Sequence, residues 1–204
     1  MYRMVFDVES IGLHGEGFAV GWVVIDGDGK HIDQGLISCQ MNWASGTWFD
    51  HDWVAANVTT DIPDGLPIYG LCQSPKDVRD LFWQQWMRWK AEGAELWADC
   101  AWPVEARFLI ECIEDDKGRR TWDGPYPLHE IATLMMANGR DPLKTYDREE
   151  SELPVHNPLM DARQSARLLH ELLYRRVDNG RTGNTVQTDT DKDSYNAIAG
   201  EGAD

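Results

Sequence analysis

A chain of 204 residues, 42% hydrophobic and carrying 10 Trp, can bury one sizeable core, and its formal net charge of −16 excludes a protein that coats nucleic acid by charge alone. No apolar run reaches membrane-spanning length, and Arg3, Asp7 and Glu9 replace a signal-peptide pattern, so a cytoplasmic protein with no membrane partner is expected. The four cysteines, Cys39, Cys72, Cys100 and Cys112, lie scattered without zinc-ligand spacing and read as buried free thiols.

Residues 3–9 read as a buried strand that contains two acids, Met4-Val5-Phe6-Asp7-Val8-Glu9. Side chains alternate along a strand, so Asp7 and Glu9 share one face. Two carboxylates close together at the end of a buried strand repel each other and call for a counter-charge. A divalent cation such as Mg²⁺ or Mn²⁺ takes oxygen ligands of this kind. The plainer alternative is an acidic strand end solvated at a sheet edge. Asp147-Arg148-Glu149 repeats the acid spacing without the apolar frame and reads as a decoy.

A Gly-rich turn over 10–17 leads to a second buried strand, Phe18 to Ile25. Asp26-Gly27-Asp28-Gly29 signals a tight hairpin, and His31 to Cys39 forms a third strand, which completes an antiparallel meander. Residues 40–74 read as irregular, with Trp43, Trp48, Phe49 and Trp53 pinning a long loop to the core or, alternatively, stacking on bases. Ser74 caps a helix with Pro75 at its first position, continuing to about Glu92 and closed by Gly93. Glu95 to Cys100 is a short strand, Pro103 opens a helix to about Ile113, and Lys117-Gly118-Arg119-Arg120 is a basic turn. A strand running into a helix follows within 127–138, ended by Gly139. Asn157 and Pro158 start a last helix that runs to about Val177 and turns Asp161, Ser165, Leu168 and Leu172 inward. The composition then shifts to Asp, Asn, Gly, Thr and Ser, so residues 1–177 read as one domain and 178–204 as a disordered acidic tail. These elements describe an α/β domain with a mixed sheet flanked by helices.

The stretch His156-Asn157-Pro158-Leu159-Met160-Asp161 places an acid in a first helical turn, where the helix dipole favours negative charge. It also sets a histidine just outside the helix, where an imidazole can serve as a movable base. Taken singly, each residue is ordinary: a loop histidine and a helix-start acid. Joined to the strand pair, they form a constellation.

At these residues the chain resembles the DEDDh 3′–5′ exonucleases, which include ribonuclease T, oligoribonuclease and proofreading exonucleases. Asp7-Val8-Glu9-Ser10-Ile11-Gly12-Leu13 is similar to the family's Asp-x-Glu-Thr-Thr-Gly-Leu opening, and His156 to Asp161 to its closing His-x4-Asp motif. Together with Glu95-Leu96-Trp97-Ala98, the closing segment especially resembles the small bacterial and phage branch. The middle motif departs from the pattern. Glu105 stands where a helical Asp is expected, and Asp99 at the end of the preceding strand is the other candidate. Residue type slightly favours Asp99, helix position Glu105.

The resemblance implies an RNase H-like mixed sheet and two Mg²⁺ or Mn²⁺ ions. Asp7 would bridge them, with Glu9 and Asp161 completing one site and Asp99 or Glu105 holding the other. It further implies His156 as general base, Leu13 against the terminal base, and Arg163 as a phosphate contact. The corresponding activity is hydrolysis at the 3′ end of single-stranded or short RNA or DNA with release of 5′-monophosphates, in a family where homodimers are common. A structured RNA 3′ end is an alternative substrate, and a non-catalytic binding or interaction module on the same fold is the alternative of a different class.

Overall fold

The computed structural model describes residues 1–41, 46–62 and 71–179, with side chains through Tyr174. Three strands open the chain, β1 (Arg3–Ser10), β2 (Gly17–Ile25) and β3 (His31–Cys39). They pair antiparallel in sequence order, as the hairpin signal predicts. That hairpin is closed by Asp26, whose carboxylate accepts hydrogen bonds from the Asp28 and Lys30 amides at 2.9 and 3.0 Å.

The next segment corrects the expectation of an irregular 40–74. Trp48–Asn57 is a helix, α1, and Leu71–Cys72 a short edge strand, β4, parallel to β3. The start of α1 is set by a capping box between Thr47 and Asp50, a local signal hidden by the surrounding Trp and Gly. Trp48, Phe49 and Trp53 do not pin the segment to the core: they are 64%, 67% and 50% exposed, while His51 and Val54 face inward. Trp43 lies outside the described residues.

The remaining elements are α2 (Pro75–Ala91), β5 (Glu95–Ala98), α3 (Val104–Asp115), α4 (Lys117–Arg120), β6 (His129–Glu130), α5 (Ile131–Ala137), a 3-10 turn at Glu150–Glu152 and α6 (Pro158–Asn179). Ser74 accepts from the Asp77 amide with Pro75 behind it, and Gly93 and Gly139 take the left-handed conformations that close α2 and α5. The basic stretch expected as a turn is the one-turn helix α4. The last helix extends to Asn179, and the rest of the expected tail, 180–204, lies outside the described residues. Of the four free thiols Cys39 and Cys112 are buried, whereas Cys72 is half-buried and Cys100 exposed, because strand β5 ends at Ala98 before Cys100 can enter the core.

The sheet order is β4-β3-β2-β1-β5-β6, with β5 and β6 parallel to β1, which is the mixed α/β class expected. Alternation divides β1 between two cores. Met4, Phe6 and Val8 pack with Trp22, Phe82 and Phe108 under α2 and α3. Val5 packs on the opposite face with Val23, Leu159, Ala162 and Leu169 under α6. Aromatic rings at 5.2–6.5 Å centroid separations tie Phe6, Trp22, Phe82 and Phe108 together. Asp7 and Glu9 follow Val5 in the same parity, so they project toward the start of α6. No described helix is long and apolar enough to cross a membrane.

Candidate active site

Register delivers the acids to one place. Asp7 pairs with Gly21 on β2, and the parallel pairing of Phe6 with Ala98 brings Asp99, the next residue, level with Asp7. Gly21 is a residue that the sequence reading passed over. A Cβ there would lie 2.2–2.4 Å from backbone atoms of Pro158 and Leu159, so only glycine lets the first turn of α6 settle directly on the sheet beside Asp7. That turn is fixed by Asn157, fully buried, whose side chain accepts from the Leu159 and Met160 amides at 3.1 and 3.3 Å and donates to the Asp61 carbonyl at 2.9 Å. Asp161 then points at the strand pair.

His156 precedes the cap with a left-handed backbone, φ 55°, uncommon for any residue other than glycine. Its carbonyl accepts from the Thr59 amide at 3.0 Å, and its ring meets Trp53 edge-on at 5.1 Å. The helix α1 thus buttresses the histidine. Glu9, His156 and Asp161 present ligand atoms all within 4.8 Å of one another.

The electrostatics describe a cluster with too little positive charge. Asp7 is held well above the ordinary carboxylate range, first by burial and then by repulsion from Glu105, Asp161, Glu9 and Asp99. Burial, with Asp161 and Glu105 beside it, pushes Glu9 up to about 8. Glu105 is raised to about 7 by burial, although it accepts a hydrogen bond from the Val8 amide at 3.4 Å. Asp99, on the more open rim, is raised by desolvation and by Asp161 and Glu130. Asp161 is raised by burial against the downward pull of Arg148 and His156.

Both middle-motif candidates lie near enough to push the Asp7 carboxyl up, though neither is in the group whose ligand atoms converge at Glu9, His156 and Asp161. Glu105, 8% exposed in the first turn of α3, acts more strongly on Asp7 than Asp99 does. Arg148 is the cation that sequence reasoning missed, lying inside the stretch set aside as a decoy. Its Nη1 meets Asp161 Oδ1 at 2.6 Å. Arg163 is engaged elsewhere, donating to Gln34 at 3.0 Å and to the Ser151 carbonyl at 2.9 Å. Leu13, 67% exposed, lines a cleft of about 310 Å³ with Glu9, Ser10, Gly12, Asp50, Trp53 and Val104.

No protein-family model and no curated protein matches this chain. Among solved structures it is similar to a 3′-exonuclease described in 3′-end-specific recognition of a histone mRNA stem-loop, at 12% identity over 88% of this chain and 82% of that one, TM-score 0.44. It is also similar to cell-death related nuclease 4, at 12% identity over 85% of this chain and 64% of that one, TM-score 0.41.

The donor set fits a hard divalent cation. Carboxylate oxygens and one imidazole converge on a small volume, and raised proton affinities mark a site that wants positive charge. Glu9 and Asp161 could hold one such ion with the His156 imidazole at its edge, and Asp7 stands two residues before Glu9 on the same strand face, with Glu105 and Asp99 among the charges that act on it.

Proposed function

We propose that this chain is a divalent-cation-dependent 3′–5′ exonuclease acting on single-stranded or short nucleic acid and releasing 5′-monophosphates. The observation that carries the reading is the convergence of Glu9, His156 and Asp161 ligand atoms within 4.8 Å of one another beside Asp7, with Glu9 in the wall of the cleft that Leu13 lines. Mg²⁺ or Mn²⁺ bound by these carboxylates would supply charge for a phosphodiester displacement and lower the pKa of a bound water.

The chain's own groups do the rest. His156, just before the Asn157 cap, takes a proton from the attacking water. Leu13 and Trp53, 67% and 50% exposed on the cleft wall, accept the face of a terminal base. Stacking of this kind suits an acidic protein, because it grips a strand end without a broad basic footprint.

The test uses 5′-labelled RNA and DNA oligonucleotides with Mn²⁺ or Mg²⁺. The wild type should produce a ladder shortening from the 3′ end. Asp7→Ala should produce none, and His156→Ala should be slower by about 10²–10⁴-fold. Folded protein that shortens neither polymer with either metal would instead support a binding module.

A further inference from the structure

One cation stands out against the excess of carboxylates. Arg148 Nη1 lies 2.6 Å from Asp161 Oδ1 and donates to the Glu152 carbonyl at 2.9 Å. The side chain is 19% exposed and Asp161 16%, so the pair is largely withdrawn from water. The backbone that presents it is fastened to α6 on both sides. Gln164 donates to the Tyr146 carbonyl at 3.1 Å and Arg167 to the Asp147 carbonyl at 2.8 Å. Beyond Arg148, Arg167 grips the Glu152 carboxylate with two bonds of 2.6 and 2.9 Å, and Glu152 is 2% exposed. A charged stretch that looked solvated is thus a braced arm carrying one guanidinium to one carboxylate.

We propose that Arg148 is a resident counter-ion of the site, holding Asp161 while no divalent cation is bound and passing to the substrate's phosphate when a cation takes that carboxylate. The inference rests on the nuclease reading above. Its physical basis is that the arm cannot withdraw. Once a cation occupies Asp161, a largely buried guanidinium fixed at its backbone keeps only the neutral Glu152 carbonyl and has lost its paired anion, which is costly. The guanidinium stays beside the cluster, where the anion that arrives in a nuclease is the substrate's phosphate. The planar fork of arginine suits two phosphate oxygens, which a carboxylate also mimics. Cation and phosphate binding are then linked, each favouring the other through the release of one side chain.

The experiment titrates wild type, Arg148→Ala and Arg148→Lys with Mn²⁺ alone by calorimetry. Adenosine 5′-monophosphate and its 2′-deoxy form are then titrated at saturating Mn²⁺. Arg148→Ala should bind Mn²⁺ roughly tenfold more tightly, because the competing cation is gone, and should bind the monophosphates roughly tenfold more weakly, the scale of one charge-assisted hydrogen bond. Arg148→Lys keeps a charge without the fork and should fall between on both readouts. It also serves as the test if circular dichroism shows Arg148→Ala unfolded: Arg148→Lys must then differ from wild type in the same two directions. Unchanged or weaker Mn²⁺ binding in the variants, or unchanged monophosphate affinity, would overturn the proposal. Wild-type protein that binds no Mn²⁺ would overturn the nuclease reading, and this inference with it. Wild type that binds Mn²⁺ and shortens oligonucleotides beside indifferent Arg148 variants would overturn this inference alone.

Discussion

Two acidic clusters flank α3, and they are built to opposite ends. In the first, Arg79 on α2 is 7% exposed and gathers Asp115 at 2.6 and 3.1 Å, Glu16 at 3.1 Å and Glu111 at 3.4 Å. One buried cation there ties the turn after β1 to α2 and α3, and these acids raise its own proton affinity further. In the second cluster, Asp7, Glu9, Glu105, Asp161 and the more exposed Asp99 act on one another, and lost hydration leaves all five raised. The same residue types give a strut where the charge is matched inside the fold, and a receptive site where matching is left to a ligand.

The contrast can be broken most forcibly at the strut. Arg79→Ala leaves three partly buried carboxylates without their shared partner and should lower stability by about 3–5 kcal/mol in denaturant unfolding. Asp7→Asn removes one of five mutually repelling acids and should leave the cation-free melting temperature equal or higher while abolishing cleavage. If Asp7→Asn proved as destabilising as Arg79→Ala, both clusters would be struts. A smaller loss is expected at Gly21→Ala, where the added methyl group meets backbone atoms of Pro158 and Leu159 at 2.2–2.4 Å. It should cost about 1–3 kcal/mol, the usual scale of overpacking, and should weaken Mn²⁺ binding by shifting Asp161 off the sheet.

The mildest test is pH. Glu9 and Glu105 are raised to about 8 and about 7 from an ordinary value of 4.5, so the folded protein holds these protons more tightly than the unfolded chain does. The stability they contribute is complete below the unfolded value and is lost as pH rises through 7 and 8. Without divalent cations, the melting temperature of wild type relative to Glu9→Gln should therefore fall across that window. Added Mn²⁺ should restore it more at high pH than at low, since protons and metal compete for the same oxygens. A flat difference curve would mean that the cluster is already neutralised from within.

Much of the site was legible because its signals are local. Strand alternation put Asp7 and Glu9 on one face, and the Asn157-Pro158 start turned Asp161 inward. The meander, the Ser74-Pro75 cap and the final helix were equally readable from turn and capping residues. Local signals ended at residues whose meaning lies in a partner far along the chain. Helix α1 was hidden because its aromatics suggested an anchored loop, although Thr47 and Asp50 supply its cap.

The sequence by itself determined which residues could carry the chemistry, because residue type, strand parity and helix capping are properties of a few neighbours. Only the tertiary structure decided how they meet. Gly21 is a commonplace strand glycine until the α6 backbone lands on it. Glu105 and Asp99 both act electrostatically on Asp7, one from a helix and one from just past a strand end. Arg148 is a charge in a decoy until Arg167 and Gln164 brace it against Asp161. Each of these depends on packing between segments distant in sequence, and close packing of that kind follows from the folded shape and not from any local pattern.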